Sequence, residues 1–131
     1  SMYLEAVQGL RRLLDKEAAD REPGAILGVL HHLRQICAHP LAVRDPASAL
    51  RPIADHIDAN PKLAWTLYCL ARIKDRQEKV ILFTEFREIQ RLLQRAVGEK
   101  FGIPVDIVNG DTSVAPEMEA SRQRLIDAFQ T

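Results

Sequence analysis

The chain has 131 residues, of which 47% are hydrophobic and 27% are charged, so it can bury a core and is not disordered throughout. Its 18 basic and 18 acidic residues give a formal net charge of zero. The chain therefore lacks the basic excess that is typical of a free-standing nucleic-acid-binding protein. Cys37 and Cys69 are too few for a disulfide framework and are interpreted as buried free thiols. The sequence contains neither a signal-peptide pattern nor an apolar run of about 18 residues, so we expect no membrane association.

Apolar residues at helical spacing predict two helices near the start of the chain. The first covers residues 2–18 and the second covers residues 25–38. The polar residues 19–24 between them end in Pro-Gly and predict a turn. We therefore expect a helical segment over residues 1–45.

Prolines interrupt residues 40–60, which are predicted to be irregular apart from a turn of helix at 53–58. Residues 46–60 are therefore predicted to be a linker. Asn60-Pro61 is a strong helix start, because asparagine accepts from free backbone N–H groups and proline fits the first helical position. The helix that follows is expected to end near Arg76.

The remainder of the chain, residues 61–131, predicts helices that alternate with strands. Residues 79–84 and 105–108 are short, apolar and rich in β-branched side chains, as in buried parallel strands. A helix over residues 86–99 separates them, and a last helix is expected to begin near Pro116. This order predicts an α/β domain with a parallel sheet. Two parallel strands alone make a poor sheet, so we expect a truncated domain.

Metal and nucleotide chemistry have little support in the sequence. A zinc site at His31, His32, Cys37 and His39 is disfavoured, because adjacent histidines point to different helix faces. Neither a Gly-x-x-x-x-Gly-Lys-Ser/Thr loop nor a Gly-x-Gly-x-x-Gly motif occurs. We therefore predict no catalytic, cofactor-binding or metal-ligating residue.

Residues 84–87 and 109–112 follow the two predicted strands and are expected at the same edge of the sheet, where ligands bind in open parallel sheets. A site for backbone phosphates fits this edge, and a purely structural turn fits it nearly as well. Arg87, Arg91 and Arg95 share one helix face, which is either a phosphate track or, as we favour, a solvated face with glutamate partners.

Three segments match one family pattern in the same order. Residues 33–40, LRQICAHP, match Leu-Arg-x-x-Cys-x-His-Pro. Residues 60–63, NPKL, followed by 78–84, EKVILFT, match a Ser-x-Lys-Leu helix that leads to helicase motif IV. Residues 109–112, NGDT, precede an Arg-x-x-x-Ile-x-x-Phe helix, as in an Asp-Gly-Ser/Thr segment. From about residue 26 onward the chain thus resembles the Swi/Snf-type helicase-like ATPases of superfamily two.

The resemblance implies a partial RecA-like parallel sheet flanked by helices, with an N-terminal helical extension. It implies that the parent enzyme uses ATP and Mg²⁺ to move along double-stranded DNA and to remodel protein–DNA complexes, whereas this fragment alone is inactive. The implied DNA-backbone contacts are Thr84, Phe86, Arg87, Gly110 and Thr112.

The resemblance also implies partners, further residue roles and a location in the cell. The missing first lobe is an implied partner, and self-association through an exposed sheet edge is expected. Lys62 and Arg122 match family positions with either a structural or a functional role, and His39 is expected to pack or to form hydrogen bonds. The expected location is cytoplasmic, in the nucleoid or nucleus where DNA is the substrate.

Two other classes were weighed. One is a stand-alone protein-interaction module in which the N-terminal helices form an adaptor surface. The other is a receiver-like α/β regulator, which is disfavoured because the paired acidic residues expected after a first strand are missing.

Overall fold

The structure is a computed structural model that describes residues 1–15, 24–115, 117 and 121–131. Within these ranges the chain forms seven α-helices and one 3₁₀ helix. The α-helices are α1 (Met2–Asp15), α2 (Ala25–Ala38), α3 (Pro40–Arg44), α4 (Ile53–Ala59), α5 (Pro61–Asp75), α6 (Arg87–Phe101) and α7 (Arg122–Gln130), and the 3₁₀ helix is Pro46–Leu50.

The chain divides into two compact units, Ser1–Ala64 and Trp65–Thr131. In the first unit α1 packs against α2. Gly24 precedes α2 with a φ of 84°, a left-handed conformation that glycine adopts without steric cost. Most of the turn predicted at residues 19–24 lies outside the described residues.

Two histidines organise the short helices of the first unit. His39 Nδ1 accepts a hydrogen bond from the backbone N–H of Ala42 at 3.1 Å and thereby caps the start of α3. His56 is 1% exposed, and its Nε2 lies 2.9 Å from the carbonyl oxygen of Ser48. The two imidazole rings contact edge to face with centroids 5.4 Å apart. The expectation that His39 is a packed, hydrogen-bonded residue is confirmed.

Asn60 begins α5, as the Asn-Pro pair predicts. Its Oδ1 accepts from the backbone N–H groups of Lys62 at 3.1 Å and Leu63 at 3.3 Å. Its Nδ2 donates to the carbonyl oxygen of Ala38 at 2.8 Å. One buried side chain therefore caps α5 and holds the end of α2.

The second unit contains α6. Leu92, Ala96 and Val97 form its buried face, and the helix ends at Gly102 with a φ of 66°. The Lys79 ammonium group donates to the carbonyl oxygen of Phe129 at 2.6 Å and lies 5.6 Å from the centre of the Phe129 ring. Lys79 thus joins the segment before α6 to α7.

The prediction of an α/β fold with a partial RecA-like parallel sheet is wrong. The described residues contain no strand, and residues 79–84 and 105–108 are irregular. Instead of pairing with a neighbouring strand, the carbonyl oxygen of Val105 accepts a hydrogen bond from the Gln94 side chain at 2.7 Å. The architecture is all-helical over the part of the chain that the structure describes.

The physical reason lies in burial. A parallel strand is stable when neighbours cover both of its faces. Ile81 is instead 59% exposed and Phe83 94% exposed, so the apolar pattern of this segment does not correspond to a buried position. The described residues contain no sheet edge through which the expected self-association would occur, although the apolar segment itself is open to solvent.

Smaller corrections concern the cysteines and the last helix. Cys37 is exposed and Cys69 is half-buried, so neither is the fully buried thiol that was expected. The described part of the last helix begins at Arg122 and follows the N-cap Ser121, whereas Pro116 lies outside the described residues. In the described ranges, every helix is too short or too polar to cross a membrane.

Candidate nucleic-acid interface

Asn109 organises the loop between α6 and α7. Its Oδ1 accepts from the backbone N–H of Asp111 at 2.9 Å, which closes a tight turn of the kind that asparagine favours. Its own backbone N–H donates to Thr112 Oγ1 at 2.9 Å. Its Nδ2 donates to Gln90 Oε1 at 2.9 Å. The turn is therefore fixed internally and attached to the first turn of α6.

Thr112 closes the same loop from the other side. Its Oγ1 donates to the carbonyl oxygen of Ile107 at 3.3 Å, and its backbone N–H donates to the carbonyl oxygen of Asn109 at 3.2 Å. The predicted role of Thr112 near a DNA backbone is thus accompanied by a structural role.

Two arginines from different helices reach this loop. Arg87, at the start of α6, forms an ion pair with Asp111 in which Nη1 and Oδ2 are 2.6 Å apart. Arg122, at the start of α7, donates from Nη2 to the carbonyl oxygen of Asn109 at 3.1 Å. Its backbone N–H also donates to the carbonyl oxygen of Ser113 at 2.8 Å. The helix starts and the loop together form one surface, which we call the arginine loop: Arg87, residues 109–113 and Arg122.

Three of the five predicted DNA-contact residues come together in the arginine loop. Arg87 and Thr112 contribute hydrogen bonds, and a Cβ added to Gly110 would lie 3.8 Å from the Arg87 Nη2. Thr84 and Phe86 precede α6 and are half-buried. Phe86 is the N-cap residue of α6, and its carbonyl oxygen accepts from Ile89 and Gln90.

Gln90 was missing from the predicted site, whereas Asn109 and Asp111 were included only as part of the segment 109–112 and not among the five predicted DNA contacts. The Asn-Gly pair signals a turn, so Asn109 was detectable as a loop organiser. Gln90 lies 19 residues from Asn109, and no local pattern indicates that the two meet.

The arginines of α6 do not form a uniform row. Arg95 pairs with Glu99 one turn later at 3.1 Å, whereas Arg87 pairs with Asp111 of the loop. Arg91 is exposed. The helix-spaced glutamate partner that was expected is therefore found for Arg95, while Arg87 is directed to the loop.

An exposed aromatic pair lies on α5. Trp65 is 66% exposed, and its ring stacks on that of Tyr68 with centroids 5.4 Å apart and planes 30° apart. The Arg72 guanidinium lies 5.9 Å from the centre of the Tyr68 ring. These residues form a second surface feature of the unit.

The histidines considered for zinc are spread over different environments. His31 and His32 are exposed, whereas His39 is buried and caps α3. In the described ranges of the chain, no three metal-ligating side chains converge.

Comparison with known proteins places these features in context. No protein-family model matches the chain. The chain is 44% identical over 131 residues to Zorya protein ZorD of Escherichia coli O139:H28 (strain E24377A / ETEC), an alignment that covers 98% of the chain and 12% of ZorD. It is 28% identical over 131 residues to YwqA of Bacillus subtilis (strain 168), provisionally named an ATP-dependent helicase/translocase, with coverage of 99% of the chain and 13% of YwqA.

The chain therefore spans only 12% and 13% of the length of these curated relatives. The similarity relates it to a segment of a helicase-type protein.

Proposed function

We propose that the chain is a segment of an ATP-dependent DNA translocase of the Swi/Snf type, and that the arginine loop contacts the phosphate backbone of double-stranded DNA. The observation that carries this proposal is the convergence of Arg87 and Arg122, from two different helices, on one hydrogen-bonded loop. The similarity to YwqA supports the translocase part of the proposal.

Guanidinium groups suit this task because their planar donors match the geometry of phosphate oxygens. Arg87 is 58% exposed on its side chain and Arg122 is exposed, so both are accessible to a duplex. The net charge of the chain is zero, so the attraction to DNA comes from this local arrangement and not from the whole surface.

Contacts to phosphates fix position and carry no sequence information. A translocase needs this property, because it moves along DNA of any sequence. We therefore propose that Arg87, Gly110, Thr112 and Arg122 form a sequence-independent contact, with Thr84 and Phe86 supporting the start of α6.

ATP and Mg²⁺ belong to the proposal for the whole protein. The 131 residues contain no glycine-rich phosphate loop, so we assign no nucleotide ligand to this chain. Its contribution is to hold DNA while ATP is hydrolysed with the help of other residues.

The test is a titration of a fluorescently labelled DNA duplex, followed by anisotropy at several salt concentrations. We expect Arg87→Ala and Arg122→Ala each to weaken binding about tenfold and to reduce the salt slope by about one. Arg44→Ala is the matched control, since Arg44 is an exposed arginine of the first unit. A chain that does not bind the duplex at low salt, or an Arg44 variant as weak as the other two, contradicts the proposal.

A second candidate function is protein interaction. It is favoured by the exposed stack of Trp65, Tyr68 and Arg72, because tryptophan, tyrosine and arginine are enriched where protein interfaces gain most affinity. If the chain fails to bind duplex DNA in the titration, this is the function that remains.

A further inference from the structure

We propose that Asp111 is a built-in competitor of DNA phosphate for Arg87. In the free protein the Asp111 carboxylate is paired with the Arg87 guanidinium group, and a phosphate must displace this carboxylate to bind. This inference rests on the proposed function and adds to it the means by which the contact is made reversible.

The geometry separates the carboxylate of Asp111 from its backbone. The Asp111 backbone N–H is held by Asn109 Oδ1 at 2.9 Å, so the residue is anchored in the turn. Its carboxylate forms the ion pair with Arg87 at 2.6 Å, and the two side chains are 66% and 58% exposed. The carboxylate is therefore free to rotate away while the hydrogen bonds of the turn stay intact.

Electrostatics make the two occupants exclude one another. A phosphodiester group that pairs with Arg87 brings a negative charge to the place where the Asp111 carboxylate lies, and like charges at that distance repel. An exposed ion pair is weak, so it opens readily when a phosphate competes for the arginine. The Arg122 contact is with a neutral carbonyl oxygen, so phosphate binding at Arg122 displaces no charged partner.

The consequence is a contact with lowered affinity and faster release. A protein that steps along DNA must break each phosphate contact that it makes. Asp111 reoccupies Arg87 as the phosphate leaves, which favours the released state.

The experiment compares Asp111→Asn with Asp106→Asn in the duplex titration. Both substitutions remove one negative charge from exposed residues of the same loop region, but only Asp111 pairs with Arg87. We expect Asp111→Asn to increase affinity about three- to fivefold more than Asp106→Asn. Asp111→Ser, which also removes the carboxylate, should give the same increase.

A double-variant cycle locates the effect. In the Arg87→Ala background we expect Asp111→Asn to bring no more gain than Asp106→Asn, because the group for which Asp111 competes has gone. Equal gains from the two asparagine variants, or a gain that persists without Arg87, overturn the inference.

The experiment distinguishes a failure of the proposed DNA binding from a failure of the competitor role of Asp111. If the unmodified chain does not bind the duplex, the proposed function fails and the competitor with it. If the chain binds, and Arg87→Ala weakens binding while Asp111→Asn equals Asp106→Asn, only the competitor is overturned.

Discussion

The Asn60 side chain donates a hydrogen bond to the carbonyl oxygen of Ala38, which connects the start of α5 to the end of α2 across 22 residues. The same side chain accepts the first free N–H groups of α5. Its two ends therefore perform different tasks, and they are separable by substitution.

Asn60→Ala should lower the free energy of unfolding by about 2–3 kcal/mol, because it removes a helix cap and leaves the half-buried Ala38 carbonyl oxygen without its Asn60 donor. Asn60→Ser keeps a capping oxygen and loses the Nδ2 donor, so we expect a smaller loss. Urea denaturation followed by circular dichroism measures both. Equal losses would show that the capping oxygen adds no stability.

His56→Ala should destabilise the chain by about 2–4 kcal/mol, because it opens a cavity at a residue that is 1% exposed and removes the contact with the Ser48 carbonyl oxygen. His32→Ala is the control, since His32 is exposed, and we expect a change within about 0.5 kcal/mol. Thermal denaturation distinguishes the two. Similar midpoints for both variants would contradict the buried role of His56.

Asn109→Ala should weaken duplex binding without unfolding the chain. The substitution removes the hydrogen bonds to Gln90 and to the Asp111 N–H, so the turn that presents Gly110 loses its fixed shape. We expect a loss of affinity comparable with that of Arg87→Ala and a salt slope that is unchanged, since no charge is removed. A slope that falls by about one would instead indicate that Asn109 acts through the arginines.

The apolar segment before α6 should promote self-association. Ile81 and Phe83 are 59% and 94% exposed, and contiguous apolar side chains on a surface favour contact with a second molecule. We expect the chain to form dimers or larger species at high concentration, and Ile81→Ser with Phe83→Ser to abolish them. Sedimentation velocity is the measurement. Assemblies that persist in the double variant would exclude this segment as their cause.

Trp65 is the only tryptophan of the chain, so its fluorescence reports on the aromatic pair. We expect ready quenching by acrylamide, because the residue is 66% exposed. Tyr68→Ala removes the stacked ring and should increase the quenching further, with little change in stability. A tryptophan shielded from the quencher would mean that this face is covered in solution.

The sequence predicted helices well where the pattern is local. The periodicity of residues 25–38 corresponds to α2, and the Asn60-Pro61 pair marks the start of α5. The prediction of a strand at residues 79–84 was wrong because a short apolar run shows only that the side chains are hydrophobic. It does not show whether neighbouring strands are present to pair with it. Hence the sheet was wrong while the helices around it were right.

The candidate site was predictable in part for the same reason. Arg87 and the Asn-Gly turn at residues 109–110 are visible as local signals, and the structure brings them together. The pairing of Gln90 with Asn109 and that of Arg87 with Asp111 join residues 19 and 24 positions apart. Such contacts depend on how the chain folds back, which spacing alone does not reveal.

The bond between Lys79 and Phe129 bears on the order of folding. It spans 50 residues, whereas the longest of the first-unit hydrogen bonds described above spans 22. Closing a longer loop costs more chain entropy, and non-local contacts form more slowly. We expect the first unit to fold early. We expect α7 to pack last, when Lys79 forms its hydrogen bond to the carbonyl oxygen of Phe129.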